Sequence, residues 1–252
     1  MNGTLRLARA ELRKLFTTRA LPVSFAIAIV LAVGSVIVDA MVAGKNGAAP
    51  LGSDASVYQM LKFGAIPCVV MLILGILSAG SEFRHRTIVP ALLVTPHRVR
   101  VFAVKVAVIA VLGALFGALV FGLGEITIVL TLAAHGIHHL PPGAGRLYLG
   151  TVISSACFGM IGVALGVLIR NTIGAIVAAI AWTLFVEQVI LAAVVPHIEK
   201  WLPTAAAIGL TNAPGPDPSR ALSPVTAGLV LTGYAIALLV AASRTTMRRD
   251  VA

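Results

Sequence analysis

The residues best suited to chemistry in this chain lie in one short basic stretch. It reads Ser81-Glu82-Phe83-Arg84-His85-Arg86-Thr87 and continues through Pro96-His97-Arg98-Val99-Arg100 to Lys105. Guanidinium groups at 84, 86, 98 and 100 can pair with carboxylates or phosphates, which is recognition rather than bond-making. Elsewhere the chain offers little. It contains no G-x-x-x-x-G-K-[ST] phosphate loop and no H-E-x-x-H pair. Glu125 and Glu187 are the only carboxylates well inside apolar runs, too few for an obvious proton relay. His135, His138 and His139 approach metal-site spacing, but no Cys or carboxylate stands beside them, so they read as solvated histidines. Cys68 and Cys157 sit in apolar runs and read as small buried hydrophobes. No residue emerges as catalytic or as a metal ligand.

The elements that must position the basic stretch follow from composition. The chain is 252 residues long, 59% hydrophobic and 11% charged, with mean hydropathy +1.01. A soluble fold of this size needs far more charge to cover its surface, so the expected class is an all-α polytopic membrane protein. The net charge of +10 is spread over loops and helix ends. It serves orientation rather than nucleic-acid binding.

Residues 4–19 predict an amphipathic helix at the membrane interface. Leu5, Ala8, Leu12, Leu15 and Phe16 lie on one side, with Arg6, Arg9, Arg13 and Lys14 on the other. Six spans are expected, roughly at 21–42, 60–80, 101–134, 147–169, 172–195 and 225–242. Gly44 to Tyr58 reads as a loop, and Pro67 is a candidate kink in the second span. The third run exceeds the ~20 residues a crossing needs, so it must tilt, break or project. Gly122 and Gly124, just before Glu125, mark a plausible break. Gly113/Gly117 and Gly162/Gly166 are small-xxx-small pairs suited to close helix contact. Residues 196–224 read as short interfacial helices of an outer re-entrant region. The apolar run from Leu21 is span-length with no small-residue cleavage site after it, the pattern of a retained span. With both termini inside, fourteen of the nineteen Lys and Arg lie on the inner side and five outside, as the positive-inside rule requires.

This organisation resembles the permeases of ABC-2 type transporters. The local likeness lies in Glu82-x-Arg84-x-x-Thr87, then Leu92, Pro96, Arg98 and Lys105 opening the third span. The general likeness covers essentially the whole chain as a single permease domain. The resemblance implies a bacterial plasma-membrane subunit that pairs with a second permease copy, as a homodimer, to form an export pathway. It also implies two separate ATPase subunits, which bind the ATP and magnesium that this chain does not. Residues 82–100 would be the coupling loop, with Glu82, Arg84, Arg86, Thr87, Leu92, Pro96 and Arg98 facing the ATPase. Because the second and fifth spans border the dimer interface in such permeases, Phe63, Met71, Trp182 and Phe185 become pathway candidates, and Glu187 and Gln188 join them as a polar point that could line the central pathway or its outer gate. Simple packing, or for Glu187 and Glu125 a helix-clamping hydrogen bond, is the competing reading of each. The expected cargo is hydrophobic or amphipathic: a drug, antibiotic, peptide or lipid. Two alternatives stay open: a non-transporting anchor, sensor or immunity subunit for an ATPase, and a secondary transporter.

Overall fold

A computed structural model describes residues 3–45, 47–84, 98–138, 144–191, 198, 200–211 and 222–248. Among them every regular element is helical: α1 (Gly3–Thr17), α2 (Ala20–Val42), α3 (Asp54–Leu61), α4 (Ala65–Arg84), α5 (Arg98–Ala134), α6 (Ala144–Ile169), α7 (Thr172–Ala181), α8 (Pro203–Thr211) and α9 (Pro224–Arg248). A 3₁₀ turn, Lys62–Gly64, joins α3 to α4, and α7 continues as a π-helical segment, Trp182–Leu191.

Local chemistry sets several boundaries. The Ser53 hydroxyl accepts from the Ser56 amide at 3.3 Å and caps α3. Helix therefore begins at Asp54, inside the stretch expected to be loop up to Tyr58. The irregularity expected of Pro67 also falls earlier. Proline has no N–H to offer the Phe63 carbonyl, and the 3₁₀ turn occupies that place, after which α4 runs unbroken to Arg84. Asn171 caps α7 by accepting from Gly174 N at 3.1 Å. The preceding Arg170 turns the chain with φ 56°, a left-handed conformation that is uncommon for a non-glycine residue. Ser223 caps α9, accepting from Thr226 N at 3.3 Å, with Pro224 at the first helical position.

Among the described residues five stretches are long and apolar enough to cross a membrane: Ala20–Val42, Asp54–Gly80, Val99–Ala134, Gly145–Ile169 and Pro224–Thr245. The fifth expected span corresponds to a shorter apolar helix, Thr172–Glu187. α5 contradicts the break expected at Gly122–Gly124, because it is one helix of 37 residues. The glycines serve packing instead. A Cβ on Gly124 would fall on the Phe63 ring, which stacks on Phe121 with centroids 5.0 Å apart.

At 1.5 Å per residue α5 is ~56 Å long, against ~30 Å of hydrocarbon. Its surplus lies at the end that leads back to residues 85–97. Phe25, near the start of α2, meets Phe116, in the middle of α5, edge-on at 5.5 Å. Along two helices running side by side, this leaves α5 starting about 13 residues, or ~20 Å, beyond α2.

α6 is the hub of the bundle, packed against α4, α5, α8 and α9. Both small-xxx-small pairs lie at its contacts. Gly113 and Gly117 of α5 approach Ser155 and Thr151, where an added Cβ at Gly113 would stand 2.8 Å from the Ser155 carbonyl oxygen. Gly162 and Gly166 of α6 face Leu72, Gly75 and Ile76 of α4. Backbones touch there with no side chain between them.

Candidate functional site

The first functional arrangement is built on α1. At about 100° per residue, Thr4, Glu11 and Leu15 fall on one stripe of this helix. All three touch the bundle. Thr4 Oγ1 accepts a hydrogen bond from Arg100, Glu11 is buried, and Leu15 packs against the main hydrophobic core. A second stripe carries Leu5 and Phe16, which are 57% and 62% exposed. Arg6, Arg9 and Arg13 are exposed beside it. Burial on α1 is thus inverted: its one buried residue is a carboxylate, while large apolar groups face outward. An apolar stripe flanked by cations suits a lipid interface.

Burying Glu11 requires compensation. Its Oε2 accepts from Lys105 Nζ at 2.6 Å and its Oε1 from Lys14 Nζ at 3.0 Å. Lys105 is itself 5% exposed, and its ammonium also reaches the Ser78 carbonyl oxygen of α4 at 3.4 Å. Three helices therefore meet at one charge pair: α1, α5 two turns inside its start, and α4 near its end. α4 and α5 are the helices that flank residues 85–97.

Burial alone would raise the Glu11 carboxyl, but the Lys105 and Lys14 ammonium groups outweigh it and hold the group below its ordinary value. A depressed carboxylate stabilises the fold fully above its unfolded value, near 4.3, and loses that contribution as pH falls through the lower folded value. Amide hydrogen exchange in α1, corrected for its intrinsic pH dependence, should be flat from neutral pH to about 5 and accelerate below about 4. Glu11→Gln should abolish the acid step; a step of the same size in that variant would reject Glu11 as its origin.

A second arrangement lies on the π-helical segment. Glu187 is 2% exposed, and its Oε2 accepts from the Thr204 amide at 2.9 Å. α8 starts at Pro203 after Leu202, whose side chain cannot cap, so the carboxylate of another element takes that role. Glu187 Oε1 is buried without a hydrogen-bond partner among the described residues. Truncation by Glu187→Ala should lower stability by about 1–2 kcal/mol through loss of this cap, while Glu187→Gln keeps an acceptor and should lose less. Thermal unfolding in detergent reads the difference, and equal losses would argue against the cap.

The residues expected to matter are distributed as follows. Glu82 and Arg84 lie in the last turn of α4, and Arg98 is the first residue of α5. Arg86, Thr87, Leu92 and Pro96 lie outside the described residues. Phe63 and Met71 are buried in the main core, whereas Trp182 and Phe185 are 47% and 64% exposed on the π-helical segment, which also carries Glu187 and Gln188. The six pathway candidates are therefore not gathered on one surface of a single chain. Glu11 is not among the residues expected to matter. The available signal was a lone carboxylate bordering the apolar side of a basic helix, a place that local pairing with Lys14 also explains.

The long apolar helices make this a helical polytopic membrane protein, and the charge pair ties α1 to α5 and to the end of α4. No family model matches the sequence, and no curated protein matches it significantly.

Proposed function

We propose that this chain is the permease subunit of an ATP-driven exporter of the ABC-2 type. In this reading it has six spans, with the Thr172–Leu191 helix as the fifth, and both termini are cytoplasmic. Two copies form the pathway, and two copies of a separate ATPase dock on residues 82–100. The observation that carries the reading is the Glu82-x-Arg84-x-x-Thr87 to Lys105 pattern, set between two long apolar helices. The contacts around Lys105 support it. The last residue of the pattern grips α1 and the end of α4, so the bases of both flanking helices are held together. A segment that receives force from a partner needs such a stiff footing. The cargo favoured is hydrophobic or amphipathic, since the chain holds few ionisable groups within its apolar helices.

Mild-detergent purification of the tagged chain tests this directly. A soluble ATPase with a phosphate loop should co-purify. Glu82→Lys and Arg84→Glu should each weaken its retention at least about tenfold, the scale expected when one partner of a docked charge pair is reversed. Purification of the chain alone, with no ATPase recovered under any nucleotide condition, would sink the proposal.

A further inference from the structure

We propose that Glu11 and Lys105 form a mechanical joint. Through it α1 moves as one body with the ends of α4 and α5 that flank residues 85–97. The two residues are positioning residues, and their use in energy coupling rests on the exporter reading above.

Three observations carry the joint. The first is its geometry: one carboxylate takes ammonium groups from two helices, at 2.6 Å from Lys105 and 3.0 Å from Lys14, while Lys105 also reaches the Ser78 carbonyl of a third. The second is how little of α1 is fully buried besides the pair, Leu15 adding a partly buried contact with the main core. α1 buries no apolar side chain completely, and Glu11 is its only buried residue. Besides the ion pair, its described ties to α5 include the Thr4–Arg100 hydrogen bond, seven residues away on the same stripe. The third is leverage. The start of α5 projects ~20 Å beyond the start of α2, and Lys105 and Arg100 both lie on that projecting part. A displacement delivered at residues 85–97 would pass along the ends of α4 and α5 to Lys105. With the pair intact, that displacement drags α1 and its exposed Leu5 and Phe16. With the pair broken, α5 slides past α1. A movement within the soluble face of the protein would thus become a movement of apolar groups at the lipid surface.

Hydrogen–deuterium exchange on the full-length chain in lipid nanodiscs tests this at two levels. In the chain alone, Glu11→Gln should accelerate exchange of the α1 amides about tenfold or more and leave α6 unchanged. Lys105→Arg, which keeps charge and donors, should behave as the native chain. Unaltered α1 exchange in Glu11→Gln would overturn the joint, whatever the partner proves to be. With the co-purifying ATPase bound, adding ATP and vanadate should change exchange in α1 and at the start of α5 together in the native chain and in Lys105→Arg. In Glu11→Gln the start of α5 should still respond while α1 does not. An α1 response that survives in Glu11→Gln would overturn the joint as well. If no ATPase binds at all, the exporter reading fails, and the first comparison still decides whether α1 and α5 form one body.

Discussion

Gly162→Leu should leave little folded protein. A Cβ at Gly162 would land on the Leu72 carbonyl oxygen and stand 3.1 Å from the Gly75 Cα. Both obstacles are backbone, so no rotamer change relieves the contact, and α4 must separate from α6 along their closest stretch. Gly75 has the reciprocal problem, since its Cβ would meet the Gly159 carbonyl oxygen and lie 2.9 Å from Val163 N. Overpacking of an ordinary core position costs about 1–3 kcal/mol. Here the whole α4–α6 contact, on which α5 and α9 also depend through α6, is at stake, and a loss above about 4 kcal/mol is expected. Yield of monodisperse protein and its thermal unfolding midpoint give the readout. Gly145→Ala, on the same helix with no atom within 4 Å of the added Cβ, is the control. It should be neutral or slightly stabilising, because alanine is the better helix former by about 0.5–1 kcal/mol. Similar behaviour of the two variants would show that close approach of α4 and α6 does not hold the bundle.

Lys105→Met should be the next most damaging change. Methionine fills much of the space of the lysine stem, so packing is largely kept and the charge is what disappears. Glu11 then remains buried with Lys14 alone, and its Oε2 has lost its partner. Breaking one side of a buried pair costs about 3–5 kcal/mol. The retained Lys14 contact places this case at the lower end, about 3 kcal/mol. Removing both charges, as Glu11→Leu with Lys105→Met, should recover most of that loss, because an apolar replacement of a buried pair avoids the desolvation of both ions. Proteolysis of α1 and thermal unfolding can follow both variants. A double variant as unstable as the single one would mean that the charges contribute net stability rather than orientation.

The two variants probe different depths of what could be read from the sequence. Gly162 and Gly166 were legible because spacing alone places them on one helix face, and only closely approaching helices have a use for such a face. Lys105 was legible as the end of a pattern, but its partner was not. Glu11 is separated from it by 94 positions, and nothing in local spacing pairs the two. The break expected at Gly122–Gly124 is absent for a related reason. A glycine that loosens a helix and a glycine that admits a neighbouring ring look alike in sequence, and here the Phe63 ring decides between them. The Pro67 irregularity fell one turn early, since the missing N–H is felt at the carbonyl four residues back.

Sequence by itself determined the class, the apolar helices and the isolation of one basic segment, because hydropathy, glycine spacing and capping residues act over a few turns of chain. Tertiary structure alone decided which helix is the hub, at which end α5 carries its surplus length, and that a carboxylate on α1 meets a lysine on α5. It also decided that Glu187 caps a helix that follows it in the chain. These are long-range pairings. Their energy comes from excluding water around groups that have no contact until the bundle closes, so no short window of sequence contains them.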